Sequence, residues 1–447
     1  MKNVILSLFF GLMCSSIQVS AQNSIYGEIN SPYCANTIIR DWGNQFIIYG
    51  ENHLSDGFFH LLTDTAHAST VLAIDLPTGL HVKDFKILDG QVFFVGEFNR
   101  KAACGIFNIS GVFYGGNIIS YYILDHYNGP TGLGGDVVYR PTSLNRMEVY
   151  MAGQEPHIVA IGDQVAGSSP TSAVFHIPGL FPNHYNCLSS SPLLGEGIFF
   201  DLALTDNFIV SVAHKGTQTN LLYSGYIMMR AFKRTSDPLN SITGQVRNDS
   251  DGYINPNGTM SASGISGDNF AISYCHPSTT NAEHEFGILT VNPSGVISPV
   301  SFKRTNISLS NASYYSFSDM AYNNSKNYLI DVGNIYSNNT LNIYSSTSSN
   351  YQHLYNPNFE ISSACSRSDD YCAACGNNNN GTIGFLLQVL PVSNSCATIS
   401  NESYFSTYPL LRNYSGIHVD FGTIVERHIH IPTVAPYQFT VFCNVPK

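Results

Sequence analysis

The chain has 447 residues, a formal net charge of −11, and only 11% charged residues. An acidic balance of 20 Lys+Arg against 31 Asp+Glu disfavours nucleic acid, whose binding rests on Lys and Arg contacts to phosphate. With so few charges, the polar surface must be mostly Asn, Ser, Thr and Tyr, which suits neutral ligands, glycans among them.

Residues 1–21 are predicted to be a secretory signal peptide. Lys2 supplies the positive charge, and Val4 to Met13 an apolar stretch too short to span a bilayer. Val19-Ser20-Ala21 forms an A-x-A-like cleavage site. The mature chain, 22–447, is expected to be a single extracytoplasmic domain: secreted, periplasmic or on the cell surface. No other apolar run is long enough for a membrane helix, so no integral membrane segment is expected after cleavage.

From residue 46 onward one unit recurs about seven times. It is an apolar strand, a turn, a second apolar strand ending in a small residue, a polar loop, and a third apolar strand. The clearest copy runs Val82–Leu88, Asp89-Gly90, Val92–Glu97 and Gly105–Ile109. Second strands are expected to begin near 46, 92, 149, 208, 270, 328 and 371. Asp-Gly, Asp-Asn and Asn-Asn turns tolerate the positive backbone angles of tight hairpins. A less regular fourth strand, such as Ile118–Leu124 or Val296–Phe302, completes a four-stranded unit. One such unit cannot bury its apolar face alone, so several must stack.

The run Leu88-Asp89-Gly90-Gln91-Val92-Phe93-Phe94-Val95-Gly96-Glu97, followed by Gly105-Ile106-Phe107-Asn108-Ile109, resembles the generic blade of seven-bladed propellers. The resemblance implies an all-β fold: a seven-bladed β-propeller with four-stranded antiparallel blades. It implies no activity, because the Trp-Asp signature and the sialidase-type Asp-box are both absent. A C-terminal stretch, Ile417–Val425 or Gln438–Cys443, is expected to pair with N-terminal strands and close the ring, since an open propeller leaves bare edges.

Ten cysteines include Cys14 in the leader, so the mature chain holds an odd number. Cys372 and Cys375 are three apart on a predicted strand and are expected to face opposite sides without sharing a metal. Cys365 and Cys396 are their natural disulfide partners if a bridge forms.

The blades, once aligned, offer candidate site residues. Asp84, Asp201 and Asp319 take equivalent places early on the innermost strand and are expected near one mouth of the channel. Three carboxylates there would hold a cation or polar ligand, or each would accept backbone N–H bonds instead. Loops after the second strands put Glu51, Glu97, His214 and, in the third unit, Glu155 and His157 on the same face. Asp249, Asp251 and Asn255 resemble a short calcium loop, since oxygen ligands at alternate positions beside Gly252 suit a hard cation, although an Asp-Gly turn has the same sequence. No other cofactor is implied. His428 and His430 share one face of a strand at a spacing that can bind zinc.

Gly-x-Ser-x-Gly, His-Glu-x-x-His and the P-loop are absent. The expected function is therefore an exported, non-catalytic binding protein for glycan or protein ligands. The alternative is a glycan-active hydrolase or lyase using channel-mouth carboxylates as acid and base.

Overall fold

The computed structural model describes residues 22–446, apart from 32–34, 53, 55, 64–68, 132–134, 168, 180–181, 191–197, 220–221, 237–241, 255–259, 278–281, 308–316, 336–337, 346–349, 357, 368, 379, 404, 408–410 and 415–419. The expected leader, 1–21, lies outside the described residues.

An N-terminal strand, β1 (Gln22–Ile29), is followed by runs of antiparallel neighbours that we number I to VII. Run I is β2 (Ala35–Trp42), β3 (Gln45–Glu51), β4 (Gly57–Leu62) and β5 (Ser69–Asp75). Run II is β6 (Leu80–Leu88), β7 (Gln91–Phe98), β8 (Lys101–Asn108) and β9 (Ile119–Leu124). A short helix, Ile109–Gly115, sits between β8 and β9, capped by the Asn108 side chain on the Gly111 N–H. In run III a short strand, β10 (Tyr127–Thr131), precedes β11 (Gly135–Ala152), β12 (Glu155–Ala166), β13 (Ser169–Pro178) and β14 (His184–Ser190). Run IV is β15 (Ile198–Leu204), β16 (Phe208–Thr219), β17 (Leu222–Lys233) and β18 (Ile242–Ile254). Run V is β19 (Ser261–Gly264), β20 (Asn269–Pro277), β21 (Ala282–Val291) and β22 (Ile297–Ile307). Run VI is β23 (Phe317–Asn323), β24 (Tyr328–Ile335), β25 (Asn338–Ser345) and β26 (Asn350–Tyr355). Run VII is β27 (Phe359–Ser366), β28 (Tyr371–Asn378) and β29 (Ile383–Val389), and β1 completes it by pairing with β29.

Apolar side chains point to both faces of these runs, so each sheet is packed on either side. Phe59 of run I meets Phe85 and Phe107 of run II edge-on, at centroid distances of 5.2 and 5.1 Å. Similar buried clusters lie between each pair of successive runs. The last joins Phe385 of run VII to Phe46 of run I. First strands touch their neighbours in the same cyclic order, and β27 packs against both β23 and β2. Sheets stacked face to face around a closed circuit make a β-propeller.

Past run VII the chain turns back along the perimeter. β30 (Thr398–Ser403) pairs with β26, β31 (Phe405–Thr407) with β22, and β32 (Leu411–Tyr414) with β18. β33 (Asp420–His430) pairs with β14 and then β9, and β34 (Val434–Pro446) with β5 and β1. The C-terminal segment is thus a belt that visits the runs in reverse order and supplies the partner their outer edges lack. A disulfide joins Cys396, just before the belt, to Cys443 near its end. The Cys396 N–H also donates to Ser24 Oγ on β1.

These observations correct three expectations. The stretch 438–443 does pair with the N-terminal strands β5 and β1, as expected, but the strand that completes run VII is β1 and not β34; 420–425 pairs with runs III and II, and 417–419 lie outside the described residues. Cys396 finds Cys443, because the belt brings the two together. In the third repeat, 149–152 is the end of the first strand and not a second strand. Gly153, at a φ of 67°, makes the hairpin, and Glu155 opens β12. Glu155 therefore sits at the opposite end from the expected loop, and His157 is buried within β12.

The expectation that Cys372 and Cys375 face opposite sides matches the packing. Cys372 and Ala374 join the core facing run VI, while Ala373 and Cys375 join the core facing run I.

Candidate functional site

The site follows from an irregularity that the repeat carries. In several runs the first strand has an extra residue where it pairs with the second. The shift falls between Val82 and Asp84, Leu144 and Arg146, Phe199 and Asp201, Phe317 and Asp319, and Ile361 and Ser363. A β-bulge leaves the extra residue unpaired and re-aims its side chain. The small residue of each repeat stands opposite. A Cβ on Gly96 would lie 1.8 Å from the His81 carbonyl oxygen, and one on Gly376 1.8 Å from that of Glu360. The strands can approach this closely because glycine has no side chain.

The bulged residues converge. Lys83, Asn145, Phe200 and Ser362, from runs II, III, IV and VII, line one cavity of about 510 Å³. Ile38, Val82, Phe199 and Met260 add apolar wall, and Asn36, Thr37 and Ser363 add polar groups. Arg40, Arg146, Asp163 and Asp319 complete the charges. The residues come from runs I to VII of the ring, so the cavity is the mouth of the central channel.

The residue after each bulge is the sequence-predicted aspartate in three runs, and all three perform the same task. Asp84 Oδ1 accepts the N–H of Phe85 at 2.8 Å and Oδ2 that of Met147 on the next run at 3.0 Å. Asp201 takes Leu202 N–H at 2.9 Å and Ala262 N–H at 2.8 Å. Asp319 takes Met320 N–H at 3.1 Å and Ala364 N–H at 3.3 Å. Each carboxylate joins its own strand to the first strand of the following run.

Arg40 of run I ties two of them together across the channel. Its guanidinium lies 2.6 Å from Asp84 Oδ1 and 2.9 Å from Asp319 Oδ2, and donates to the Phe85 carbonyl at 3.0 Å. Burial opposes the Arg40 charge, but the Asp319 and Asp84 carboxylates outweigh it and raise its pKa. Burial likewise opposes the charge on Asp319; Arg40, Arg146 and the Ser363 hydroxyl overcome it and hold the carboxyl below its usual value. Among the described residues Asp201 has no direct cation. Burial pushes it up to about 7, against the pull of Arg146 and its two amides. Deeper in, Lys86 pairs with Glu148 at 2.8 Å.

The other predicted residues are dispersed. Glu51 is buried in the wall, where its carboxylate accepts from Tyr49 at 2.7 Å and Asn36 at 2.6 Å. Glu97 is half-buried on β7, in register with His81 and Ala102. His214 lies on β16 opposite Ile198, and Asp249 and Asp251 lie on β18; their side chains, and Asn255 altogether, lie outside the described residues. Only Gly225 of β17 faces 249–252, so the expected calcium loop falls in a bulge of β18. Among the described residues no three His, Cys, Asp or Glu side chains are placed to hold a metal ion. His428 and His430 do share a face of β33. His428 stacks on Tyr121 at 4.9 Å, and His430 approaches Asp75 at 3.7 Å.

Arg40 and the bulged residues are absent from the sequence-predicted site. A cation amid the apolar Ile38-Ile39-Arg40 stretch is one available signal. The other is the residue preceding each aligned aspartate.

No protein-family model matches the chain, and no curated protein matches it. Among solved structures, it is similar to the β-propeller domain of Cps50 (Swd1) from Myceliophteria thermophila. The identity is 12%, the TM-score 0.43, and the alignment covers 81% of this chain and 99% of that one.

Proposed function

We propose that the protein is an exported, non-catalytic binding protein, a seven-bladed propeller of four-stranded blades that takes its ligand at the channel mouth. Runs I to VII supply the blades, with β1 as the fourth strand of run VII. Export is supported by the leader-like segment 1–21 and by the Cys396–Cys443 bridge, since such bonds persist in oxidising compartments.

The observation that carries the binding role is the convergence of bulged side chains from runs II, III, IV and VII on one cavity. A cavity of about 510 Å³ falls within the range of small-molecule sites. Its floor is rigid, because the clasping aspartates and Arg40 fix the first strands. Acid–base glycan cleavage needs carboxyls able to exchange a proton with the substrate. Asp84, Asp201 and Asp319 commit both oxygens to backbone amides, which favours binding over cleavage.

The test is a glycan and protein array probed with the mature chain and with a Phe200→Ala, Asn145→Ala variant. A ligand captured by the parent and lost by the variant is expected. A ligand held equally by both would place binding elsewhere. Turnover of any captured glycan would restore the hydrolase.

A further inference from the structure

We propose that the channel mouth selects an acidic saccharide, with the Lys83 ammonium pairing with the sugar's carboxylate or sulfate; this rests on the mouth being the ligand site. The sequence alone points to an acidic mouth, because three aspartates align there. In the fold those carboxylates are consumed by amides and by Arg40, and the side chain each bulge presents lies one residue earlier. In run II that residue is Lys83.

Most of the mouth's polar groups already have partners in its own wall. Thr37 and Ser362 bond each other at 2.5 Å, and the Asn36 amide is spent on Glu51. The Asn145 amide donates to Asp163 at 2.8 Å, which holds that exposed carboxylate at the rim. Arg146 donates to the Lys83 and Asn145 carbonyls. Lys83 differs: among the described residues its ammonium makes no ion pair or hydrogen bond, although it lines the cavity. Its half-buried position lowers the local screening that would weaken a pair with an incoming anion.

The rest of the wall argues for a sugar. Phe199, Phe200 and Met260 give one apolar side, while Asn36, Asn145 and Ser362 make the other side polar; their donors are used within the wall, but their oxygens keep lone pairs that a sugar hydroxyl can donate to. A pyranose ring has one apolar face and a polar edge and matches both. Asp163 works against an anion, and Asn145 keeps it directed to the rim.

Calorimetric titration of the mature, disulfide-bonded protein distinguishes the outcomes. The probes are a glucuronate-containing disaccharide, its sulfated counterpart and the neutral parent sugar. The acidic sugars should bind roughly ten- to a hundred-fold more tightly than the neutral one, the worth of one charge-assisted hydrogen bond. Whichever of the two binds better identifies the anionic group. Lys83→Gln should abolish the preference and Lys83→Arg keep it. High salt should weaken the acidic sugars alone. Among the described residues the Lys83 ammonium makes no structural contact, and the backbone carbonyl that Arg146 bonds is kept in the variant, so the melting temperature of Lys83→Gln should stay with the parent, which checks the fold. Neutral sugar bound as tightly as acidic, unchanged by Lys83→Gln but lost in Phe200→Ala, would overturn the charge selection and leave the mouth as the site. Acidic sugar bound equally by the parent, Lys83→Gln and Phe200→Ala would overturn both.

Discussion

Asp201 Oδ2 accepts the backbone N–H of Ala262 at 2.8 Å, from one first strand to the next. The link is local in space but spans 61 residues of chain. Asn at this position keeps one acceptor and replaces the other with a donor that faces an N–H. Asp201→Asn should therefore destabilise the fold by about 1–3 kcal/mol, the usual cost of an orphaned buried group. Urea unfolding followed by circular dichroism measures it. An unchanged midpoint would show that the clasp contributes nothing.

Arg40 compensates two buried carboxylates at once. Its side chain is 12% exposed, and Asp84 only 2%. Arg40→Met leaves both acids unpaired and should cost about 3–5 kcal/mol. Arg40→Lys should recover only part, because an ammonium cannot span two partners in the planar geometry of a guanidinium. Equal unfolding midpoints for Lys and Arg would remove the bridging role.

The Cys396–Cys443 bond closes a loop with a sequence separation of 47. Chain-entropy arguments assign about 4 kcal/mol to a loop of that length. Cys443→Ser should lower the unfolding free energy by an amount of that order and free the end of the belt to protease. Limited proteolysis with mass spectrometry would locate the cuts, which should fall between β30 and β34. Cuts distributed evenly over the runs would contradict this.

Stability should fall on mild acidification. Burial lowers His60 to about 4, His176 to about 3 and His353 to about 4, below the ordinary 6.5. The unfolded chain binds protons at these sites below pH 6.5 while the folded chain does not. Their contribution is thus complete above 6.5 and is lost as pH falls toward 4. Asp331 and Asp201, each raised by burial to about 7, act oppositely and cost stability as pH rises from about 4 to 7. His60→Gln should flatten the acid slope, and Asp331→Asn should steepen it. A melting temperature for His60→Gln that tracks the parent from pH 4 to 6.5 would refute the assignment.

Much of the fold was legible in the chain. Period-two apolar runs and the turns Asp89-Gly90, Asp206-Asn207 and Asn323-Asn324 delimit the repeats, and both signals are local. The third repeat misled because Met151-Ala152-Gly153 imitates the small-residue end of a second strand. The belt was legible only in part: a C-terminal pairing with N-terminal strands was expected and occurs, but its circuit of the other runs was not foreseen. Three of its strands, β30 to β32, are short, and what defines all five is the bare edge each one meets, which no local pattern encodes. The three aspartates were placed correctly on first strands, β6, β15 and β23. Their employment by amides of the next run was out of reach, because it depends on the spacing between sheets. The mouth itself was one residue away, at Lys83, Phe200 and the bulges that turn them inward.

The belt also sets an order of events for making the molecule. Run VII lacks its fourth strand until β1 returns to it, and the outer edges of the other runs stay bare until 398–446 has emerged and wound back. A chain still being synthesised therefore carries many open templates for pairing with its neighbours. A copy cut short before Thr398 would fold its cores and still aggregate. Residues 398–446 act as a seal, and their loss would appear first as insolubility and only later as unfolding.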